Sequence, residues 1–175
     1  NKNIIGPFDD KILEIDKLGI PGEHNLQNFL AASTCSHLMG ISQDQIVRTL
    51  KEFKGVEHRL EHVRTINEVE YINDSKATNI NSVIVAINTY DQPIVLILGG
   101  FNKGANFRLL LPHIKSSHVR DIVSYGDAGG QINTALGDAV RSVQVTDLSS
   151  AVKKAQLMAA PGDIVLLSPG CASFD

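Results

Sequence analysis

A run of five apolar residues, 94–98, constrains the fold of this chain more than any other segment. The run has no polar alternation, which is typical of a strand buried on both faces of a parallel sheet. Pro93 precedes it and Gly99 and Gly100 follow it, and these residue types commonly mark strand ends. Parallel strands need long crossover connections, which are usually helices. We therefore expect an α/β fold in which residues 94–98 form a central strand.

Further strands and helices alternate along the second part of the chain. Other apolar runs predict additional strands at residues 69–72, 121–125 and 164–167, with a weaker one at 143–145. Between them, apolar residues recur at helical spacing in residues 83–90 and 148–158, and Asp147 is placed to cap the second of these helices. This alternation predicts a doubly wound parallel sheet.

The first part of the chain has a different pattern. Residues 11–18 alternate between apolar and polar, as in an edge strand, and a helix is expected from Glu23 to about Met39. Ser42 and Gln45 have the spacing of a capping box, which predicts a second helix ending near Gly55. The change from paired helices to alternating strands after Gly55 indicates a domain boundary there.

The charge and composition exclude several classes of protein. With 43% hydrophobic residues and a net charge of -3, the chain is a globular protein with no general electrostatic attraction for nucleic acid or an anionic membrane. No apolar run approaches the roughly 20 residues of a membrane span, and residues 1–3 do not begin a signal peptide, so we expect a cytoplasmic protein. Cys35 is expected in the core of the first helix, and Cys171 in an accessible loop without a catalytic role.

Three polar or glycine-rich segments follow predicted strands. They are NDSKATN at residues 73–79, GGFNKG at 99–104 and SPGCAS at 168–173. Ligands of open parallel sheets bind beyond the carboxyl ends of the strands, so we expect the three segments to converge at one rim.

The residues alone allow two interpretations of the polar and charged side chains in these segments, and of Arg59, which precedes them in the chain. Residues 73–79 fit a helix cap, or an anion site in which helix amides act with Lys76 and Thr78. Lys103 lies in a glycine turn that is either structural or an ion-pairing site for a ligand, and no P-loop pattern occurs anywhere in the chain. Arg59 either pairs with a neighbouring glutamate, Glu57 or Glu61, or reaches a nucleotide phosphate between domains.

Taken together, these segments resemble the Mur ligases of peptidoglycan synthesis. The shared motifs are GEHNLQN at residues 22–28, HRLE at 58–61, NDSKATN, Gly99-Gly100 with Lys103, and LLSPGCASFD at 166–175. The resemblance extends from Gly22 to Asp175 and is greatest to the members that add D-glutamate. Two positions depart from the family pattern, because Asn102 replaces a frequently acidic residue and Gly170 a frequent alanine.

The family has three domains, and the resemblance covers only the end of the second and most of the third. Residues 1–56 would be the helical C-terminal remnant of the central ATPase domain, and residues 57–175 a Rossmann-like domain that binds the incoming amino acid. The family's P-loop and its magnesium ligands would precede Asn1, and a final helix would follow Asp175. We therefore expect a fragment that is inactive by itself.

The resemblance implies roles for five residues in ATP binding. Asn25 and Asn28 would face the adenine, Arg59 and Asp74 would reach the phosphate and ribose, and His58 would shape the same surface. Magnesium, the second implied cofactor, would be held mostly by residues outside this chain.

The resemblance also implies the reaction and its substrates. ATP would phosphorylate the alanyl carboxylate of UDP-N-acetylmuramoyl-L-alanine, and the amine of D-glutamate would attack the acyl phosphate to form an amide bond. Lys76 would act near the phosphates as the catalytic residue. Thr78, Lys103 and Ser173 would hold the carboxylates of D-glutamate.

Two alternatives to this function remain at the level of the sequence. One is a related ligase such as folylpolyglutamate synthase, against which the NDSKATN segment argues. The other is a free-standing, non-catalytic α/β domain that binds an amino acid or a nucleotide, which would account for the missing P-loop.

Overall fold

A computed structural model describes residues 3–5, 11–14 and 23–172, with side chains from Asn25 onward. The chain divides into two compact units, residues 1–55 and 56–175. The division falls next to the change of sequence pattern after Gly55. That the first unit belongs to a central ATPase domain stays a prediction.

The first unit combines two short strands with two helices. Strands β1 (Asn3–Ile5) and β2 (Lys11–Glu14) pair antiparallel. The part of the predicted strand beyond Glu14 lies outside the described residues up to Glu23, where helix α1 (Glu23–Leu38) begins. Helix α2 (Gln43–Glu52) follows, so both predicted helices are confirmed. Gln45 Oε1 accepts a hydrogen bond from the Ser42 N–H at 3.4 Å, as in the predicted capping box.

Helix α1 buries a narrower stripe than its apolar residues predict. The buried positions Asn25, Phe29 and Ser33 are spaced four residues apart, and the Phe29 ring meets Phe53 edge-on at 5.9 Å between centroids. The apolar residues Leu30 and Leu38 lie outside this stripe and are 37% and 71% exposed. Cys35 is also exposed, so its predicted core position is wrong. Two residues beyond Ser33, it points to the opposite side of the helix.

The second unit contains a six-stranded sheet. Its order across the sheet is β3 (Glu61–Ile66), β4 (Val69–Asn73), β8 (Ile164–Leu167), β5 (Ile94–Gly99), β6 (Val119–Tyr125) and β7 (Arg141–Gln144). All neighbouring pairs are parallel except β3 with β4. The central position of residues 94–98 is confirmed. Strand β3 was not predicted, because five of its six residues are exposed and it lacks a buried face.

Helices cover both faces of the sheet. Helices α3 (Ile80–Ile87), α4 (Leu111–Ser116) and α5 (Gly129–Leu136) pack on one face, and α6 (Leu148–Met158) on the other. The alternate side chains of β5 divide in the same way, with Leu96 on the first face and Ile97 on the second. This arrangement confirms the doubly wound fold. Helices α4 and α5 were not predicted, since each is at most eight residues long and has few apolar positions.

Helix α6 is capped as predicted, and only part of its apolar residues is buried. Asp147 Oδ1 accepts a hydrogen bond from the Ser150 N–H at 2.8 Å, which confirms the cap. This bond and others lower the pKa of Asp147 to about 2. Ala151 and Ala155 are fully buried, whereas the apolar Val152 is 38% exposed. No helix among the described residues has both the length and the apolar character to cross a membrane.

Candidate functional site

The loops that follow β4 and β8 are held together by their backbones. These strands are neighbours in the sheet, so their carboxyl ends lie side by side. The Asp74 N–H donates to the Leu167 carbonyl at 2.8 Å, and the Gly170 N–H donates to the Ala77 carbonyl at 2.8 Å. The NDSKATN segment and the SPGCAS segment are therefore one connected structure.

The loop after β5 joins the same structure. The Gly99 N–H donates to the Pro169 carbonyl and the Phe101 N–H to the Ala172 carbonyl, both at 3.1 Å. Gly100 has φ of 114°, and a Cβ at this position would lie 3.0 Å from the Ala172 carbonyl oxygen. Glycine is needed there for both reasons. The predicted convergence of the three loops is confirmed.

Asp74 lies beneath this rim with its carboxylate engaged by the protein. It is 5% exposed, and its Oδ1 accepts from the Leu60 N–H at 3.3 Å while its Oδ2 accepts from the Ser168 hydroxyl at 2.8 Å. Burial raises the pKa of Asp74 above its usual 3.8, and the two hydrogen bonds and the charge of Arg59 offset only part of that rise. Its contact with ATP stays a prediction.

His58 and Arg59 lie exposed beside Asp74 on an unusual backbone. His58 has φ of 67° and Leu60 has φ of 46°, so both neighbours of Arg59 adopt the left-handed conformation. The His58 carbonyl accepts from the Lys76 N–H at 3.0 Å, which ties this segment to the NDSKATN loop. The Glu61 carboxylate accepts from the His58 N–H at 2.8 Å, and within the described part of the chain no ion pair joins it to Arg59.

Lys76 and Thr78 are exposed in the turn that precedes α3. The helix begins after Asn79, whose Oδ1 accepts from the Ser82 N–H at 3.0 Å. The cap interpretation is therefore confirmed for Asn79, while Lys76 lies three residues before the cap. Its side chain leaves from the turn next to His58 rather than from the first turn of the helix.

Lys103 is exposed in a turn that Asn102 organises. Asn102 Oδ1 accepts from the backbone N–H groups of Gly104 at 2.9 Å and Ala105 at 2.6 Å. An Asn side chain that bonds the backbone two residues later is a common turn signal. The departure from the acidic family pattern at Asn102 therefore has a structural role that the sequence could have indicated.

The remaining predicted site residues are not all part of this rim. Asn25 and Asn28 belong to α1 of the first unit, where Asn25 is buried and Asn28 exposed. Ser173 lies outside the described residues. Cys171 is buried, and burial raises the pKa of its thiol to about 11, so the predicted accessibility of this loop cysteine is wrong.

A magnesium site does not fit the described residues by themselves. In residues 25–172 there is no cluster of three or more His, Cys, Asp or Glu side chains that could hold a metal ion. The exposed cations at the rim, which are Arg59, Lys76 and Lys103, suit anionic groups such as carboxylates and phosphates.

Residues 58–171 match the family described as Mur ligase, glutamate ligase domain. The match covers most of the chain, and it includes the first two loops of the rim and residues 168–171 of the third. The chain belongs to the Mur ligase family.

Two relatives within the Mur ligases show which members this chain resembles in sequence. A protein of Salinibacter ruber is 42% identical over 95% of this chain, and one of Clostridioides difficile is 45% identical over 100% of it. Both are named UDP-N-acetylmuramoylalanine–D-glutamate ligase. The chain spans only 36% and 40% of their lengths.

The solved structures of a Mur ligase and of a folylpolyglutamate synthase share the fold. The UDP-N-acetylmuramate-alanine ligase of Thermotoga maritima aligns over 87% of this chain and 36% of its own, with a TM-score of 0.69 and 18% identity. The folylpolyglutamate synthase of the same organism aligns over 91% of this chain and 38% of its own, with a TM-score of 0.63 and 16% identity. At these identities the likeness shows the fold alone. It therefore does not distinguish a peptidoglycan ligase from a folylpolyglutamate synthase.

Proposed function

We propose that this chain is the C-terminal portion of an ATP-dependent ligase that adds D-glutamate to UDP-N-acetylmuramoyl-L-alanine. The observation that carries the proposal is the meeting of the three motif loops at the carboxyl end of the sheet. The two relatives at 42% and 45% identity, both named for this reaction, support the same substrate. They also favour it over folylpolyglutamate synthesis.

In this proposal the rim positions two anionic reactants. Lys103, Thr78 and Ser173 bind the carboxylates of D-glutamate, and Lys76 acts near the phosphates that ATP transfers. Placing an amine next to an acyl phosphate lowers the barrier mainly by position, and nearby cations stabilise the charge on the transferring oxygens.

In this proposal five residues of the chain serve ATP. Asn25 and Asn28 face the adenine, while His58, Arg59 and Asp74 serve the phosphate and ribose. Magnesium is proposed as a cofactor of the longer enzyme, held by residues outside this chain. A cytoplasmic location is proposed because ATP and UDP-linked sugars are available there.

The test uses the full-length protein that contains this chain. Its release of ADP should require both D-glutamate and UDP-N-acetylmuramoyl-L-alanine, and L-glutamate should not replace the D-isomer. The 175-residue chain by itself should release none, because it encodes no P-loop. ADP release by the isolated chain, or a full-length protein that uses a folate acceptor instead, would contradict the proposal.

A further inference from the structure

Ser168 is a buried polar residue to which no role has been assigned. It directly follows β8, is 0% exposed, and donates its hydroxyl to Asp74 Oδ2 at 2.8 Å. Its loop is the one expected to bind D-glutamate through Ser173. Its hydroxyl nevertheless donates to Asp74, which is proposed to serve ATP and not D-glutamate.

We propose that Ser168 is a positioning residue for ATP, acting through Asp74 to hold the backbone on which Arg59 lies. The inference rests on the proposed function, since ATP is the ligand in question. It differs from the role expected of the surrounding loop, which concerns the amino acid substrate.

The two hydrogen bonds of the Asp74 carboxylate fix its direction. A carboxylate is planar, so a hydrogen bond that fixes one oxygen also fixes the direction of the other. With Oδ2 held by Ser168, Asp74 Oδ1 is directed to the Leu60 N–H at 3.3 Å. Without the Ser168 hydroxyl, the side chain of Asp74 loses the shorter of these two bonds.

The backbone around Arg59 depends on tertiary contacts for its conformation. His58 and Leu60 have positive φ values of 67° and 46°, which non-glycine residues adopt only when other contacts hold them there. The contacts that hold them include the Lys76 N–H on the His58 carbonyl and the Asp74 carboxylate on the Leu60 N–H. Weakening the second contact should allow the Arg59 side chain to change direction.

A matched control is available on the same sheet. Ser124, in β6, is also 0% exposed, but among the described residues its hydroxyl has no hydrogen-bond partner. Substitution of Ser124 by alanine removes an equally buried hydroxyl without removing a hydrogen bond. Any general effect of deleting a buried oxygen atom should therefore appear in both variants.

The experiment measures the ATP dissociation constant by calorimetry and the D-glutamate KM by ADP release, using the full-length protein. Ser168→Ala should weaken ATP binding about tenfold, as expected for loss of a hydrogen bond to a charged group, with the D-glutamate KM within about twofold of wild type. Ser124→Ala should leave both values within about twofold. In an Asp74→Asn background, Ser168→Ala should add less than about a twofold effect, because the two residues act in series.

Two outcomes would overturn the inference. One is an ATP dissociation constant of Ser168→Ala within about twofold of wild type, and the other is an equal or greater rise in the D-glutamate KM. If Ser168→Ala does not fold, Ser168→Cys, whose thiol is a weaker donor, should show the same selectivity at about threefold. A wild-type protein that binds ATP but adds no D-glutamate contradicts the proposed function alone, and the binding measurement still decides the role of Ser168.

Discussion

Two buried aspartates lie at opposite ends of the same sheet and are satisfied in opposite ways. Asp121, near the start of β6, is 1% exposed and accepts from Arg120 Nε at 2.9 Å and Arg141 Nε at 2.5 Å. Among the described residues, the carboxylate of Asp74, directly after β4, accepts from the Leu60 N–H and the Ser168 hydroxyl. One carboxylate is neutralised by charge, whereas the other is oriented by neutral donors.

The pKa values of the two carboxyls reflect this difference. Burial by itself would raise both, but hydrogen bonds from Arg141 and Arg120 outweigh burial at Asp121 and hold its pKa below 3.8. At Asp74 burial outweighs the hydrogen bonds, so the pKa is raised. The charged form of Asp121 thus stabilises the fold at the amino end of the sheet. At the carboxyl end, the charged form of Asp74 is unfavourable for stability.

The cationic side chains at the two ends of the sheet are used differently. At the amino end, Arg120 also lies 2.9 Å from the Asp163 carboxylate, so its guanidinium is used within the protein. At the carboxyl end, Arg59 and Lys76 are exposed beside Asp74 and are not used in this way by the described residues. This is the arrangement expected when one end supports the fold and the other receives an anion.

The largest expected effect is on stability at the amino end. Asp121→Ala should lower the free energy of unfolding by about 2–3 kcal/mol, because it removes a buried carboxylate together with its charge-assisted hydrogen bonds to two arginines. Asp138→Ala, an exposed aspartate on the same unit, should change it by less than about 0.5 kcal/mol. Urea unfolding of the 175-residue chain measures both. Equal effects would mean that the ion pairs contribute nothing.

A pair of arginine substitutions should separate the two ends by function. In the full-length protein, Arg59→Lys should reduce turnover about tenfold with little change in melting temperature, because lysine lacks the planar paired donors that bind phosphate. Arg120→Lys should lower the melting temperature by roughly 2–4 °C and leave turnover unchanged, because lysine cannot replace contacts to Asp121, Asp163 and the Met158 carbonyl. Wild-type turnover in the Arg59→Lys variant would show that Arg59 does not bind the ATP phosphates.

A pair of lysine substitutions tests the substrate side. Lys103→Ala should raise the D-glutamate KM about tenfold with the ATP KM nearly unchanged, as expected for a lost charged contact of roughly 1.5–3 kcal/mol. Lys115→Ala, which changes an exposed lysine of α4 directly after the buried Ile114, should alter neither constant. Steady-state kinetics of the full-length protein provides the measurement, and equal rises in both KM values for Lys103→Ala would indicate a structural role.

The smallest expected effect is a difference in pH dependence. A lowered pKa stabilises the folded state above the unfolded value, so the stability advantage of wild type over Asp121→Asn should shrink as the pH falls below 3.8. A raised pKa acts in the opposite sense, so wild type should gain stability relative to Asp74→Asn as the pH falls from 7 towards 4. Unfolding free energies measured from pH 7 to below 3.8 decide the matter, and a same-sign trend for both variants would contradict the contrast.

Much of the fold could be predicted because its signals are local. The apolar run of β5, the cap at Asp147 and the capping box at Ser42 each depend on a few neighbouring residues. Strand β3 and helices α4 and α5 were missed because their stability comes from pairing and packing with distant segments rather than from their own pattern.

The candidate site was predictable in its location but not in its contacts. Because parallel strands end at a common edge, the sequence sufficed to bring the three loops together. Its motifs also identified Arg59, Lys76 and Lys103 as the cations to consider. It did not indicate that Asp74 is turned inward to Leu60 and Ser168.

The sequence by itself determined the doubly wound fold, the family and the end of the sheet where ligands should bind, because periodicity and motifs record these directly. Only the tertiary structure decided that Cys35 is exposed and Cys171 buried. It also decided that the pKa of Asp121 is lowered while that of Asp74 is raised. Burial and charge pairing depend on residues far apart in the chain, as the 94-residue separation of Ser168 and Asp74 shows. No local pattern records such a contact.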